Sequence, residues 1–114
     1  MGSASCGCLL GELIMQQLNP ETIRQTLTYQ NEIIQVQMAL PTNPLKTEQF
    51  IHALATTGGF RASNIDWGAD RCQALLTRQD ISAVLCIEWL CEAIWLESTG
   101  TTDLVQVWQA FGRD

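Results

Sequence analysis

The stretch "ISAVLCIEWLCEAIWL", residues 81–96, carries only two charged side chains, Glu88 and Glu92. A run this apolar must leave water, so whatever encloses it sets the fold. It falls short of the ~20 apolar residues that a membrane-spanning helix needs. The expectation is therefore burial inside a globular domain, with no membrane span. At helical period its apolar residues cover more than one side. Val84, Ile87, Cys91 and Ile94 form one side, and Leu85, Trp89 and Leu96 lie broadly opposite. Glu88 and Glu92 fall between, beside Ile81 and Trp95. This predicts a helix over 81–97, apolar nearly all round, in the middle of a bundle or completed by a partner.

The flanking segments read as further helices. "NPET" is a start signal: Asn19 can cap, Pro20 suits the first helical position, and Glu21 suits the positive end of the dipole. Residues 21–40 allow two readings. Ile23, Leu27, Gln30 and Ile34 have helical spacing. "IIQVQMAL" instead alternates, with Ile34, Val36, Met38 and Leu40 on one side, and "TLTYQ" is strand-like. A tight hairpin prefers a glycine at positive φ, and none is present, which favours the helix. "PTNP" is a break. "KTEQFIHALATTGGF" is a helix with Thr47 near its start, Phe50, Ile51 and Leu54 inward, and Gly58-Gly59 as its stop. "SNIDWGADRCQALL" is expected to be a helix capped at Ser63 or Asn64, with Ile65, Ala69, Cys72 and Leu76 on one face. Asp80 would cap the next. "DLVQVWQAF" closes with Leu104, Val107, Trp108 and Phe111 at helical spacing. "ASCGCLLGELIMQQL" shows a stripe at 6, 9, 10, 13, 14 and 18, weakened by Gly7 and Gly11.

The fold expected is all-α: a compact bundle of five or six short helices in a single domain, 1–114. Residues 1–5 would be a disordered tail or a cloning remnant. The alternative is α+β, with a hairpin within about 26–40.

Composition narrows the function. Charged residues make up 16% of the 114, and the net charge is −6. The six bases are scattered singly, whereas phosphate binding needs them clustered, so nucleic acid is not an expected partner. From Asp80 to Asp103 there are five acids and no Lys or Arg. That acidic stretch is either a solvated face or a surface for a basic partner. Five cysteines without a CxxC or a secretory signal point to a reducing, cytoplasmic setting.

Motifs for chemistry are missing. Position 6 is Cys6 where N-myristoylation would need Ser or Thr. Cys6 and Cys8 would point about 200° apart on a helix, so they could share a metal ion only in an extended segment with two further ligands. Cys86 and Cys91, on different sides of the expected helix, read as inert core thiols. His52 is the single histidine, with Glu48 four residues earlier as a surface pair. Asp66/Asp70 and Glu88/Glu92 are carboxylate pairs at i,i+4 without the Glu-x-x-His motif of dinuclear iron bundles. There is no Gly-x-Ser-x-Gly elbow and no phosphate loop. No catalytic residue, metal site or cofactor is expected.

Four tryptophans all fall in the C-terminal half. They serve the core, an interface, or both. The function expected is that of a small acidic non-enzymatic protein-binding protein: an adaptor, escort chaperone, inhibitor or assembly subunit. Small acidic secretion chaperones share this size and charge, an analogy that no motif carries. The residues expected to bind the partner are Glu88, Glu92, Trp95, Trp89 and Trp108, with Trp95 as a hot spot beside the acidic rim. The partner would be a protein with a basic surface or an amphipathic helix, or a second copy of the chain. The alternative is a cysteine-dependent metal-binding or redox protein.

Overall fold

The computed structural model describes residues 19–112. The elements run α1 (Pro20–Gln25), β1 (Leu27–Tyr29), β2 (Ile34–Val36), α2 (Pro44–Thr57), β3 (Arg61–Trp67), β4 (Arg71–Arg78), β5 (Ile81–Glu88), β6 (Ala93–Ser98) and α3 (Leu104–Ala110). The six strands form one sheet in the order β1-β2-β6-β5-β4-β3. Every neighbouring pair is antiparallel. The expectation of an all-α bundle is thereby overturned. The expected helices at 63–76 and 81–97 are instead the four strands β3–β6.

The reason lies in β5. On a strand, successive side chains point to opposite faces. Ala83, Leu85 and Ile87 join the core on one face, but Val84 and Cys86 on the other face are apolar as well. Alternation is therefore invisible in the sequence, and a central strand apolar on both sides imitates a buried helix. The turns also hide. β4 and β5 meet through Gln79-Asp80, with Gln79 at φ 52. Asp80 is thus a turn residue and caps no helix. β5 and β6 meet through residues 89–92, with Glu92 at φ 52. Neither turn uses glycine, the usual signal for a left-handed residue.

Within 21–40 the helical reading holds only as far as Gln25. β1 and β2 then form the hairpin of the second reading, with Leu27 opposite Val36 and Tyr29 opposite Ile34. The loop spans four residues, closed by the Gln30 N–H to the Ile33 carbonyl at 2.9 Å, and needs no residue at positive φ.

The helix signals at Asn19, "PTNP" and Gly58-Gly59 correspond to structure. Asn19 and Asn43 cap α1 and α2 by accepting from the Glu21 and Lys46 N–H groups at 2.8 and 2.7 Å. α2 ends in a Schellman motif. The Phe60 N–H reaches the Ala55 carbonyl at 2.7 Å, the Gly59 N–H reaches Thr56, and Gly59 supplies φ 75. α3 starts with a capping box of Asp103 and Gln106.

One continuous core joins the inner face of the sheet to the three helices. It holds Ile23 of α1, Phe50, Ile51 and Leu54 of α2, Val107 of α3, Phe111, and Leu76, Leu85, Ile87, Ile94 and Leu96 of the sheet. The opposite face presents Leu75 against Val84, and Cys86 against Trp95, with Gln35, Gln73 and Glu97 around them. The described helices lie on the other side.

Candidate functional site

The five residues expected to bind a partner fall in three places. Trp95 and Glu88 belong to the face of the sheet opposite the described helices. The Trp95 indole N–H donates to the Glu97 carboxylate at 2.6 Å, and its strand places it beside Cys86. Trp108 sits on α3, half-buried, its ring edge-on to Tyr29 with centroids 5.4 Å apart. Trp89 and Glu92 come together in the β5–β6 loop. The shared helix face expected for Glu88 and Glu92 falls with the helix at 81–97.

Trp89 and Glu92 border a groove of about 570 Å³ at one end of the sheet. Its other wall is the strap of chain between β2 and α2: Met38, Ala39, Leu40, Pro41 and Thr42. Met38 and Leu40 turn inward and pack on the core, continuing the alternation of Ile34 and Val36. Trp89 also packs on the core and pins the strap, donating its indole N–H to the Pro41 carbonyl at 2.8 Å. A second bond, from the Trp89 main-chain N–H to the Asp70 carbonyl at 2.9 Å, ties this loop to the β3–β4 turn. Trp89 is therefore an anchor for the groove's shape, and its ring is one of its apolar surfaces.

Past Trp89, Leu90 is 79% exposed, the most exposed large hydrophobic residue described, and Leu45 at the start of α2 is 66% exposed. The only charged group lining the groove is the Glu92 carboxylate. The groove is shallow and open, with polar and apolar surface in comparable measure. Sequence reasoning named Trp89 and Glu92 but missed the strap and Leu90. Pro41 and Pro44 marked 41–44 as a break, and the half-buried wall before it was legible only in the alternation of Met38 and Leu40.

The remaining chemical candidates stay apart. Cys72 is buried on the inner face and Cys86 on the opposite face of the sheet, while Cys91 is exposed in the β5–β6 loop, contrary to the core role expected for it. Burial pushes the Cys86 thiol up to about 11. Cys91 is also raised, through a hydrogen bond to the Glu88 carboxylate and its charge. His52 and Glu48 are exposed on α2. Among the described residues, no group of three His, Cys, Asp or Glu side chains is placed to hold a metal ion. No described helix is long and apolar enough to cross a membrane. Cys6, Cys8, the stripe over 6–18 and the proposed tail at 1–5 lie outside the described residues.

Both sheet edges are blunted against further strands. β1 is three residues long. β3 is interrupted by a bulge between Ser63 and Asp66, with Asn64 at φ 49. Comparison of the chain with protein-family models, with curated proteins and with solved structures gave no match.

Proposed function

We propose that this chain is a small acidic, non-enzymatic protein-binding module, acting as an adaptor, escort chaperone, inhibitor or assembly subunit. Its binding surface is the groove at the end of the sheet. The observation that carries this reading is Leu90: an aliphatic side chain 79% exposed in the β5–β6 loop, directly after Trp89, whose indole holds the wall of the groove in place. The acidic balance of the chain, net −6, favours a partner with a basic surface.

The test begins with co-purification from the native source and identification of the bound protein. The affinity of that purified partner is then measured by calorimetry for wild type, Leu90→Ser and Val105→Ser. Val105 is 47% exposed on α3, away from the groove, and serves as the control. A loss of about tenfold or more for Leu90→Ser alone supports the reading, as expected for an interface anchor. Equal affinity for all three proteins overturns it.

A further inference from the structure

β5 is apolar on both of its faces, and only one of them meets the described helices. On the opposite face Leu75 stands level with Val84, and Cys86 with Trp95, across the adjacent strands β4, β5 and β6. The Gln73 amide donates to the Cys86 sulfur at 3.6 Å, and the Trp95 indole N–H donates to Glu97. The polar groups of this face are thus turned to their own neighbours. Leu75, Val84 and the ring of Trp95 are its apolar surface. An antiparallel sheet with one face in water shows clean alternation, whereas strands covered on both faces read as continuous apolar runs. "AVLCI" in β5 is a run of the second kind.

The inner face is already filled by α1, α2 and α3. Eighteen residues precede Asn19, and they carry an apolar stripe of their own at 6, 9, 10, 13, 14 and 18. Their one charged side chain is Glu12, which at about 100° per residue falls on the side away from that stripe. The starting point also suits the outer face. Thr26, the C-cap of α1, accepts from the Gln37 N–H in line with β1 and β2. The residues before α1 therefore begin within one short helix of the edge strand. Residues 6–14 make a helix about 13 Å long, and the three strands from β6 to β4 lie about 10 Å across. Residues 15–18 reach about 14 Å when extended, against about 10 Å from β1 to β6.

We propose that residues 6–14 dock as an amphipathic helix on the outer face of their own chain's sheet, with Leu13 over Trp95 on β6 and Leu9 over Val84 and Cys86 on β5. A second copy suits this face less well. A two-fold pairing of the face sets Glu88 and Glu97 of one copy toward those of the other, whereas the stripe brings no charge. The tether also gives the segment an effective concentration that a separate protein has to overcome.

The test uses the full chain, labelled at its Leu and Val methyl groups and Trp rings, and reads nuclear Overhauser contacts. Contacts from the Leu9 and Leu13 methyls to the Trp95 ring and the Val84 methyls are expected. Contacts from Leu9 and Leu13 to Tyr29 or Trp108 instead, or none to the sheet, overturn the proposal. Mixing labelled with unlabelled chain separates the sources: contacts made between chains assign the face to a second copy and overturn it too. If the face is free in the isolated chain and covered only in complex with the co-purified partner, the occupant is that partner and the proposal fails. The paired substitution Leu9→Asp and Leu13→Asp should shift the Trp95 indole resonance and speed alkylation of Cys86 by about tenfold or more, with Cys72 still protected. An unmoved Trp95 resonance and unchanged Cys86 reactivity in that variant overturn the docking. Should the variant unfold, the contacts in the unsubstituted chain decide by themselves.

Discussion

At one end of β4 and β5, the C-termini of α2 and α3 converge and their carbonyls are taken up by two arginines. Arg24 donates to the Phe111 and Thr57 carbonyls at 3.1 and 3.4 Å, and Arg78 to those of Gly58 and Ala110 at 3.1 and 3.4 Å. Each guanidinium thus bridges two helix ends whose dipoles are negative there. The Phe60 and Phe111 rings, 5.5 Å apart, seal the space below. At the other end of the same strands, the N–H groups of Met38, Ala39, Leu40 and Thr42 have no protein partner among the described residues, and Leu90 is 79% exposed. One end spends its polar groups on holding the fold together. The other leaves donors, apolar surface and a carboxylate unspent.

The largest effects should come from between the two ends, in the core that both depend on. Leu54 and Leu85 are fully buried. Leu54→Ala and Leu85→Ala should each lower stability by about 2–5 kcal/mol, measured by urea unfolding. An effect near zero at either site would mean that the inner face of the sheet is not the core, and the contrast between the ends would lose its frame.

The closed end comes next. A Cβ on Gly58 would lie 2.8 Å from ring carbons of Phe60 and 2.9 Å from Phe111. Gly58→Ala should therefore cost about 1–3 kcal/mol through forced displacement of those rings. A neutral Gly58→Ala would show that this end is looser than its hydrogen bonds imply. The open end should behave in the opposite way. Leu90→Ser should change stability by less than about 0.5 kcal/mol, since little is buried there. A clear loss of stability on Leu90→Ser would make Leu90 part of the fold, and the contrast would collapse.

The two ends were unequally legible in the sequence, and so were the helices and strands. Helix ends are set by local chemistry, so Asn19 and Gly58-Gly59 could be read directly, while the cap at Asn43 stood inside a stretch read only as a break. The strands could not. β4 does alternate at Cys72, Ala74 and Leu76, but Leu75 between them is apolar too, and Ile65, Ala69, Cys72 and Leu76 also fit a helical stripe. Pairing with β3 and β5 decides the matter, and that is a long-range fact. The site suffered from the same error. Of the expected binding residues Glu88, Glu92, Trp89, Trp95 and Trp108, the first four belong together only on a helix over 81–97. In the hairpin, Trp89 and Glu92 go to the loop and Trp95 to the outer face of the sheet. The roles of Arg24 and Arg78 are not legible: Arg78 reads from its neighbours as a salt-bridge partner for carboxylates, and nothing near either residue marks the helix ends they serve, 33 and 20 residues away at Thr57 and Gly58.

The smallest effect concerns the thiols, and it compares the open end with the sheet on a chemical scale. In a chain with Cys6 and Cys8 replaced by Ser, Cys91 is exposed while Cys72 and Cys86 are buried. Alkylation of the native protein at mildly alkaline pH, read by mass spectrometry, should modify Cys91 first and leave Cys72 and Cys86 until the protein unfolds. Cys91 should nevertheless react more slowly than a free thiol, because the Glu88 carboxylate accepts its proton in a hydrogen bond and repels the thiolate. Glu88→Gln removes that charge, raises the thiolate fraction at a given pH, and should speed the reaction. For Cys86 the sign runs through stability. Its thiol is held up at about 11 against an ordinary value of 9.0, chiefly by burial. The unfolded chain therefore loses that proton first as pH rises. Its contribution is complete below pH 9 and falls away between about 9 and 11. Cys86→Ala should flatten the loss of stability across that window. If Cys86 is alkylated as fast as Cys91 in the folded protein, the outer face of the sheet opens as readily as the loop end, and the proposed division between a closed body and an open end fails.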